Sequence, residues 1–225
     1  TTFTYDSRGN LLTVKDPPNN TTTLTYEPVF DFTTSSTDAL GSKTEYFYDA
    51  KGNLVQIKDA LNNITTYSYD PLGRLIQAKD ANGNITNLVY DASSNLIQIT
   101  DSQNHSTNFT FDSLGNRLRV TDAEGKITKF TYDLLNRLSQ ITYPDDSKTT
   151  YAYDPAGNLI SFTDQNGNTT SYVYDAIDRL IQVTDAQGNI VKYTYDTEGN
   201  RLSVTDAAGN TTQYFYDSLN RLIKT

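Results

Sequence analysis

Apolar and polar residues alternate along this chain in short blocks, and the blocks recur. Leu75-Ile76-Gln77-Ala78 and Thr170-Ser171-Tyr172-Val173-Tyr174 are typical. The blocks are rich in Val, Ile, Thr, Tyr and Phe, and turns built from Asp, Gly, Asn or Pro bound them. β-branched and aromatic runs between such turns predict strands, and the short connections predict a continuous antiparallel meander. No stretch sustains a 3.6-residue period, so no helix is expected. The expected fold class is all-β.

The period is set by Tyr-Asp. The pair begins at Tyr5, Tyr48, Tyr69, Tyr90, Tyr132, Tyr153, Tyr174, Tyr195 and Tyr216, and Tyr26-Glu27 and Phe111-Asp112 stand in register. From Tyr48 to Tyr216 each step is 21 residues, and Tyr26 to Tyr48 is 22. A fixed period in this range marks a repeat architecture. With no linker or composition break, residues 1–225 read as one array of two-stranded repeats. Both ends fall inside a repeat, so the chain reads as a window of a longer protein. Thr1 to Tyr5 already belong to a repeat, and no signal peptide is expected there.

Each repeat has two turns. The first follows Tyr-Asp, and its fourth position holds Gly9, Gly52, Gly73, Gly115, Gly157, Gly199, Asn136, Asp178 or Asn220. These residues best tolerate a left-handed backbone. The Asp can bond the backbone two residues on. Asp70, Gly73, Asp154, Gly157, Asp196 and Gly199 are therefore expected to be structural turn residues. The second turn reads like Asp80-Ala81-Asn82-Gly83-Asn84, and Tyr143-Pro144-Asp145-Asp146 departs from it. The repeat from Tyr26 diverges most, with one extra residue and no turn glycine.

An odd period requires the two turns to differ in parity if every repeat is to show the same face. The favoured solution gives the Asp-Ala-x-Gly turn three loop residues and the Tyr-Asp turn four. It places Ile76, Ala78, Thr86, Leu88 and Tyr90 on one face, and Ile181, Val183, Val191, Tyr193 and Tyr195 likewise. The alternative puts the Tyr with Leu75 and Gln77. Gathering apolar area on one side, at roughly 25 cal/mol per Å², decides for the first. Tyr69, Tyr90, Tyr153, Tyr174, Tyr195 and Tyr216 then form an aromatic column, expected to pack as a ladder.

Composition narrows the chemistry. The net charge is −9 and Cys is absent. A nucleic-acid partner needs a basic stripe, and none is present. No apolar run approaches the roughly 20 residues of a membrane-spanning helix. Without Cys there is no thiolate nucleophile and no cysteine metal site. The column Asp59, Asp80, Asp101, Asp122, Asp164, Asp185 and Asp206 reads as turn capping rather than calcium binding, which needs converging oxygens. His105 is the only histidine and has no Cys partner, so no metal or catalytic role is expected of it. Asn20, Asn63, Asn84, Asn104, Asn108, Asn168 and Asn210 begin Asn-x-Thr/Ser sequons, which read as turn chemistry. No catalytic, cofactor or metal site is expected, and the chain is not expected to be an enzyme.

Eleven Tyr-Asp positions in register, with Gly-Asn-Arg-Leu-type tails, closely resemble the RHS, or YD-repeat, family across the whole chain. That resemblance implies a β-strip that spirals into a hollow shell, in secreted or cell-surface proteins. In bacterial members and insecticidal toxin complexes the shell encloses a toxic polypeptide, and in teneurins it belongs to an adhesion receptor. The implied function is a non-catalytic wall segment, and the alternative is an adhesion or fibre-forming protein with carbohydrate contact. Expected partners are further repeats or a second copy at open strand edges, an enclosed polypeptide and carbohydrate. Some 20 strands at roughly 4.8 Å closed once give a ring roughly 30 Å across, too narrow for a folded domain. The expectation is a tube filled by its own Tyr, Phe, Ile and Val side chains.

Overall fold

The computed structural model describes all residues, Thr1–Thr225. It contains strands, turns and no helix, and 21 of its 23 strands form an antiparallel meander. The chain divides into two compact units, Thr1–Phe109 and Thr110–Thr225. In the first, the meander runs from the strand Thr2–Tyr5 through Leu96–Thr100 to the start of Ser106–Phe111. The second runs from Arg117–Thr121 to Thr211–Gln213 and ends in a separate hairpin of Phe215–Tyr216 with Leu222–Lys224.

Both turns of the repeat have the same frame. At Asp70–Arg74 the Asp70 N–H donates to the Arg74 carbonyl at 2.9 Å, and the Gly73 N–H donates back to the Asp70 carbonyl at 2.9 Å. At Asp80–Asn84 the corresponding bonds are 2.9 and 3.0 Å. Each loop therefore has three residues, a type I turn closed by a left-handed one. Gly73 has φ +80° and Gly157 φ +103°, and where Gly is missing Asn136, Asp178 and Asn220 take φ 59°, 63° and 59°.

The parity problem is solved in the strand instead of the loop. Ser68 pairs with Gln77 but Tyr69 pairs with Leu75, so Ile76 has no partner. The same shift recurs at Tyr174, which pairs with Leu180 while Val173 pairs with Gln182. A bulge of this kind adds one residue to one strand and turns the side chains beyond it. The expected face is corrected accordingly. Ala78, Thr86, Leu88 and Tyr90 do share a face with Tyr67, but Leu75 joins them and Ile76 turns away. Leu180 likewise replaces Ile181. The displaced residues Ile76, Leu118, Ile160 and Leu202 are exposed on the opposite face.

The tube filled by its own side chains is also corrected. No apolar residue is buried; only Ser35 and Thr149 are. The strand Thr2–Tyr5 pairs with Leu11–Lys15 alone, so the sheet does not close on itself. A single sheet covers its apolar face only when a second layer lies on it.

Candidate functional site

The tyrosine face and the turns that flank it hold every candidate residue. Three features of the repeat build it, and each rests on a particular side chain.

The first is the Asp of Tyr-Asp. Asp70 Oδ1 accepts the N–H groups of Leu72 and Arg74 at 2.9 and 3.0 Å, and Oδ2 accepts Arg74 Nε at 2.7 Å. Asp154 accepts the N–H groups of Gly157 and Asn158 and the Asn158 side-chain amide, at 2.8, 2.8 and 3.0 Å. Asp196 accepts the Asn200 N–H and its side-chain amide at 2.7 and 2.8 Å. Gly73, Gly157 and Gly199 supply the left-handed position. Hydrogen bonds to the ionised form hold these carboxyls below their ordinary range. For Asp154 and Asp196 the largest cause is the Asn side-chain amide, and for Asp70 it is the Arg74 backbone N–H.

Second-turn Asp residues behave alike. Asp80 accepts from Asn82, Asn84 and the Asn84 side chain at 2.9, 2.8 and 2.7 Å. The sequon residues Asn63, Asn84, Asn168 and Asn210 thus donate their amides to Asp59, Asp80, Asp164 and Asp206. His105 Nδ1 lies 3.1 Å from Asp101 Oδ2 in the same arrangement.

The second feature is the Tyr hydroxyl. Tyr69 donates to the Leu54 carbonyl at 2.9 Å, Tyr153 to Leu138 at 3.0 Å, Tyr174 to Leu159 at 3.1 Å, Tyr195 to Leu180 at 2.9 Å and Tyr216 to Arg201 at 3.1 Å. Each acceptor is the residue that pairs with the Tyr of the preceding repeat, where the bulge interrupts the ladder. The phenol therefore serves a carbonyl that the bulge takes out of regular pairing, and it ties one repeat to the next. Desolvation raises the Tyr69 and Tyr174 phenols above their ordinary value.

The third feature was not anticipated from sequence. Arg74, Arg137 and Arg179 each bond their own Asp, reach the carbonyl of the next repeat's Asp, and lie over the next Tyr ring. The guanidinium carbons sit 4.7, 4.6 and 4.9 Å from the ring centroids of Tyr90, Tyr153 and Tyr195. Where Asn takes this place and the next turn's left-handed residue is Asn or Asp, its amide reaches that residue's side-chain oxygen instead. Asn116 bonds Asn136 Oδ1 at 3.3 Å, Asn158 bonds Asp178 Oδ1 at 2.7 Å and Asn200 bonds Asn220 Oδ1 at 2.9 Å. The signal lay in the alternation of Asn and Arg after each turn: Asn116, Arg137, Asn158, Arg179, Asn200, Arg221.

Nothing in this arrangement pairs a nucleophile with a base. No group of three or more His, Cys, Asp or Glu side chains converges as a metal site would require.

Two comparisons bear on the assembly. The crystal structure of TcdB2-TccC3 without its hypervariable C-terminal region matches with a TM-score of 0.64 at 18% identity, over 99% of this chain and 16% of that chain. It shows the fold. The crystal structure of TcdB2-TccC3 gives 0.44 at 17% identity, over 99% and 19%. A Photorhabdus luminescens Tc holotoxin pore gives 0.43 at 18%, over 97% and 16%. This chain thus spans less than a fifth of the length of these solved chains. No curated protein matches. The RHS Repeat family matches residues 30–64, 48–85, 90–127, 111–148, 132–161, 153–190, 174–211 and 195–225. Those matches leave out little beyond the first repeat, and the chain belongs to the RHS repeat family.

Proposed function

We propose that these repeats are a non-catalytic wall segment of an RHS-type shell, in a secreted or surface protein, and that the shell encloses a polypeptide. One observation carries the reading: a sheet with an aromatic face has no buried apolar side chain. Such a face needs a second layer, and an enclosing wall supplies one through its contents or further repeats. The family and the fold of TcdB2-TccC3 support it. Strand edges pair with additional repeats or with another copy, as open edges do. Asp carboxylates at the first position of the turns, such as Asp70 and Asp80, accept the N–H groups of their own turns, which fits a scaffold rather than an enzyme.

Electron microscopy of the parent protein tests this. Closed particles with internal density, and a protease-resistant segment released only on unfolding, are expected. Filaments built by end-to-end stacking would replace the shell with the fibre reading.

A further inference from the structure

In the second unit the repeats alternate on a 42-residue period. Arg137, Arg179 and Arg221 follow a left-handed Asn136, Asp178 and Asn220, whereas Asn158 and Asn200 follow Gly157 and Gly199. The consequence falls on the tyrosine column. Tyr153 and Tyr195 each carry an arginine from the preceding repeat over the ring. Tyr174, between them, is preceded by Asn158, whose side chain is too short to reach the ring and turns to Asp154 and Asp178 instead.

The Tyr174 position therefore has the acidic side of a guanidinium site without the cation. Its hydroxyl is fixed on the Leu159 carbonyl, so its ring is held in the same manner as those of Tyr153 and Tyr195. Asp154 lies close enough to oppose ionisation of the phenol. Neither Asp154 nor Asp178 makes an ion pair, and Asp178 is exposed. By contrast Asp133 and Asp175 are paired with Arg137 and Arg179 at 2.7 Å. A cation over a tyrosine face gains most where solvent is partly excluded, and guanidinium stacks better than ammonium.

We propose that the Tyr174 ring, with the Asp154 and Asp178 carboxylates, binds an alkylguanidinium: the arginine side chain of a partner polypeptide lying on the tyrosine face. The protein's own arginines over Tyr153 and Tyr195 are the template. This proposal concerns the face alone and holds whether or not the array forms a closed shell.

The test is NMR of the full chain with ring-labelled tyrosine, titrated with acetyl-Gly-Arg-Gly-amide. Its lysine and citrulline counterparts are the controls, citrulline being the neutral isostere. The Tyr174 ring signals shift saturably with the arginine peptide, less with lysine and not with citrulline, while Tyr153 and Tyr195 shift little. Asn158→Arg, which copies the neighbouring repeats, supplies an internal cation and removes the response. Gln182→Arg, with the same charge added elsewhere, keeps it. Tyr174→Phe, read with ring-labelled phenylalanine instead, retains the ring and the response, as Phe111 occupies this column naturally. Equal shifts with arginine and citrulline, equal responses at Tyr174 and Tyr195, or an unchanged response in Asn158→Arg would each overturn the assignment.

Discussion

Two turns break the repeat, one in each unit, and they break it differently. At Tyr26–Phe32 the loop is a residue longer, so the Glu27 N–H donates to the Phe32 carbonyl at 3.0 Å. Glu27 replaces the usual Asp, and its longer side chain still accepts the N–H groups of Val29 and Phe30. At Tyr143–Ser147 the loop keeps its length, with bonds of 2.9 and 3.0 Å, but the first position has no carboxylate. There Asp145 accepts the Ser147 N–H and hydroxyl at 3.0 and 2.6 Å. Both loops keep a left-handed residue, Asp31 at φ 58° and Asp146 at φ 63°. The left-handed position is thus the part of the turn that survives; the carboxylate cap can lengthen or move.

Both breaks also add aromatic surface. Phe30 and Phe32 stack at 5.5 Å, and Phe32 lies 5.1 Å from Tyr48. It fills the place over Tyr48 that arginine fills over Tyr90. In the second unit Tyr143 reaches buried Thr149, its hydroxyl accepting at 3.4 Å, and Tyr151 meets Phe162 at 5.5 Å. The first cluster lies close against the Gly52 backbone. A Cβ at Gly52 would lie 2.9 Å from the Phe32 ring, whereas one at Gly157 meets nothing within 4 Å.

The largest expected effect follows from that contrast. Gly157→Val forces a β-branched residue to φ +103° and costs about 1–3 kcal/mol of strain. Gly52→Val adds an overpacking penalty, itself about 1–3 kcal/mol. Denaturant melts should rank Gly52→Val worst, then Gly157→Val, with Asn158→Val behind both. Equal losses at the two glycines would show that Phe32 yields freely.

Next comes the ladder itself. Tyr174→Ala removes a half-buried ring and the bond to Leu159, and should cost about 2–4 kcal/mol, the lower part of the large-to-small range. Tyr174→Phe removes only the hydroxyl bond, about 1 kcal/mol. Gln182→Ala on the other face should cost less than either. Melts in which Tyr174→Ala and Gln182→Ala are alike would remove the distinction between the faces.

A third expectation concerns the caps. Asp80→Ala deletes acceptors for two backbone N–H groups and the Asn84 amide, while Asp145→Ala deletes one for a backbone N–H and one for a hydroxyl. The melting temperature should fall further for Asp80→Ala. The reverse order would mean that the displaced cap at Tyr143–Ser147 is the stronger.

Much of this was legible in the sequence because the repeat spells its own turns. Tyr-Asp, the left-handed Gly, Asn or Asp and the short apolar blocks between turns fix strands and meander. The bulge was not read, although both turns share the spelling Asp-x-x-Gly-Asn and so must share a loop length. The odd residue had to lie in a strand, and the Leu-Ile doublet after the Tyr-Asp turn is where it lies. The missing core could not be read either. Alternation shows which side chains share a face, while what covers that face depends on groups beyond the sheet. The arginine clamps escaped because they join residues 16 and 17 apart, across a turn and two strands.

The smallest effect distinguishes the two kinds of turn by pH. Asp80 is held below its ordinary value of 3.8, chiefly by the Asn84 side-chain amide and then its backbone N–H. A carboxyl whose folded value lies below its unfolded one stabilises the fold above the unfolded value. That contribution is lost as pH falls through the folded value. Below about pH 4 the regular turns should therefore loosen, since a protonated Asp80 can no longer serve both Asn84 donors as an anion. At Tyr143–Ser147 the first residue carries no carboxylate. The cap there is Asp145, which is also held low, by the Ser147 hydroxyl and N–H. Lowering pH from 6 to 3 should speed amide exchange, corrected for its intrinsic pH dependence, more at Asn84 than at Ser147. Asp146, whose N–H donates to the Tyr143 carbonyl at 3.0 Å, should change least. Faster opening at Ser147 than at Asn84 would mean that the carboxylate caps contribute nothing measurable to the regular turns. Their ordering would then rest on the left-handed residue and the backbone bonds alone.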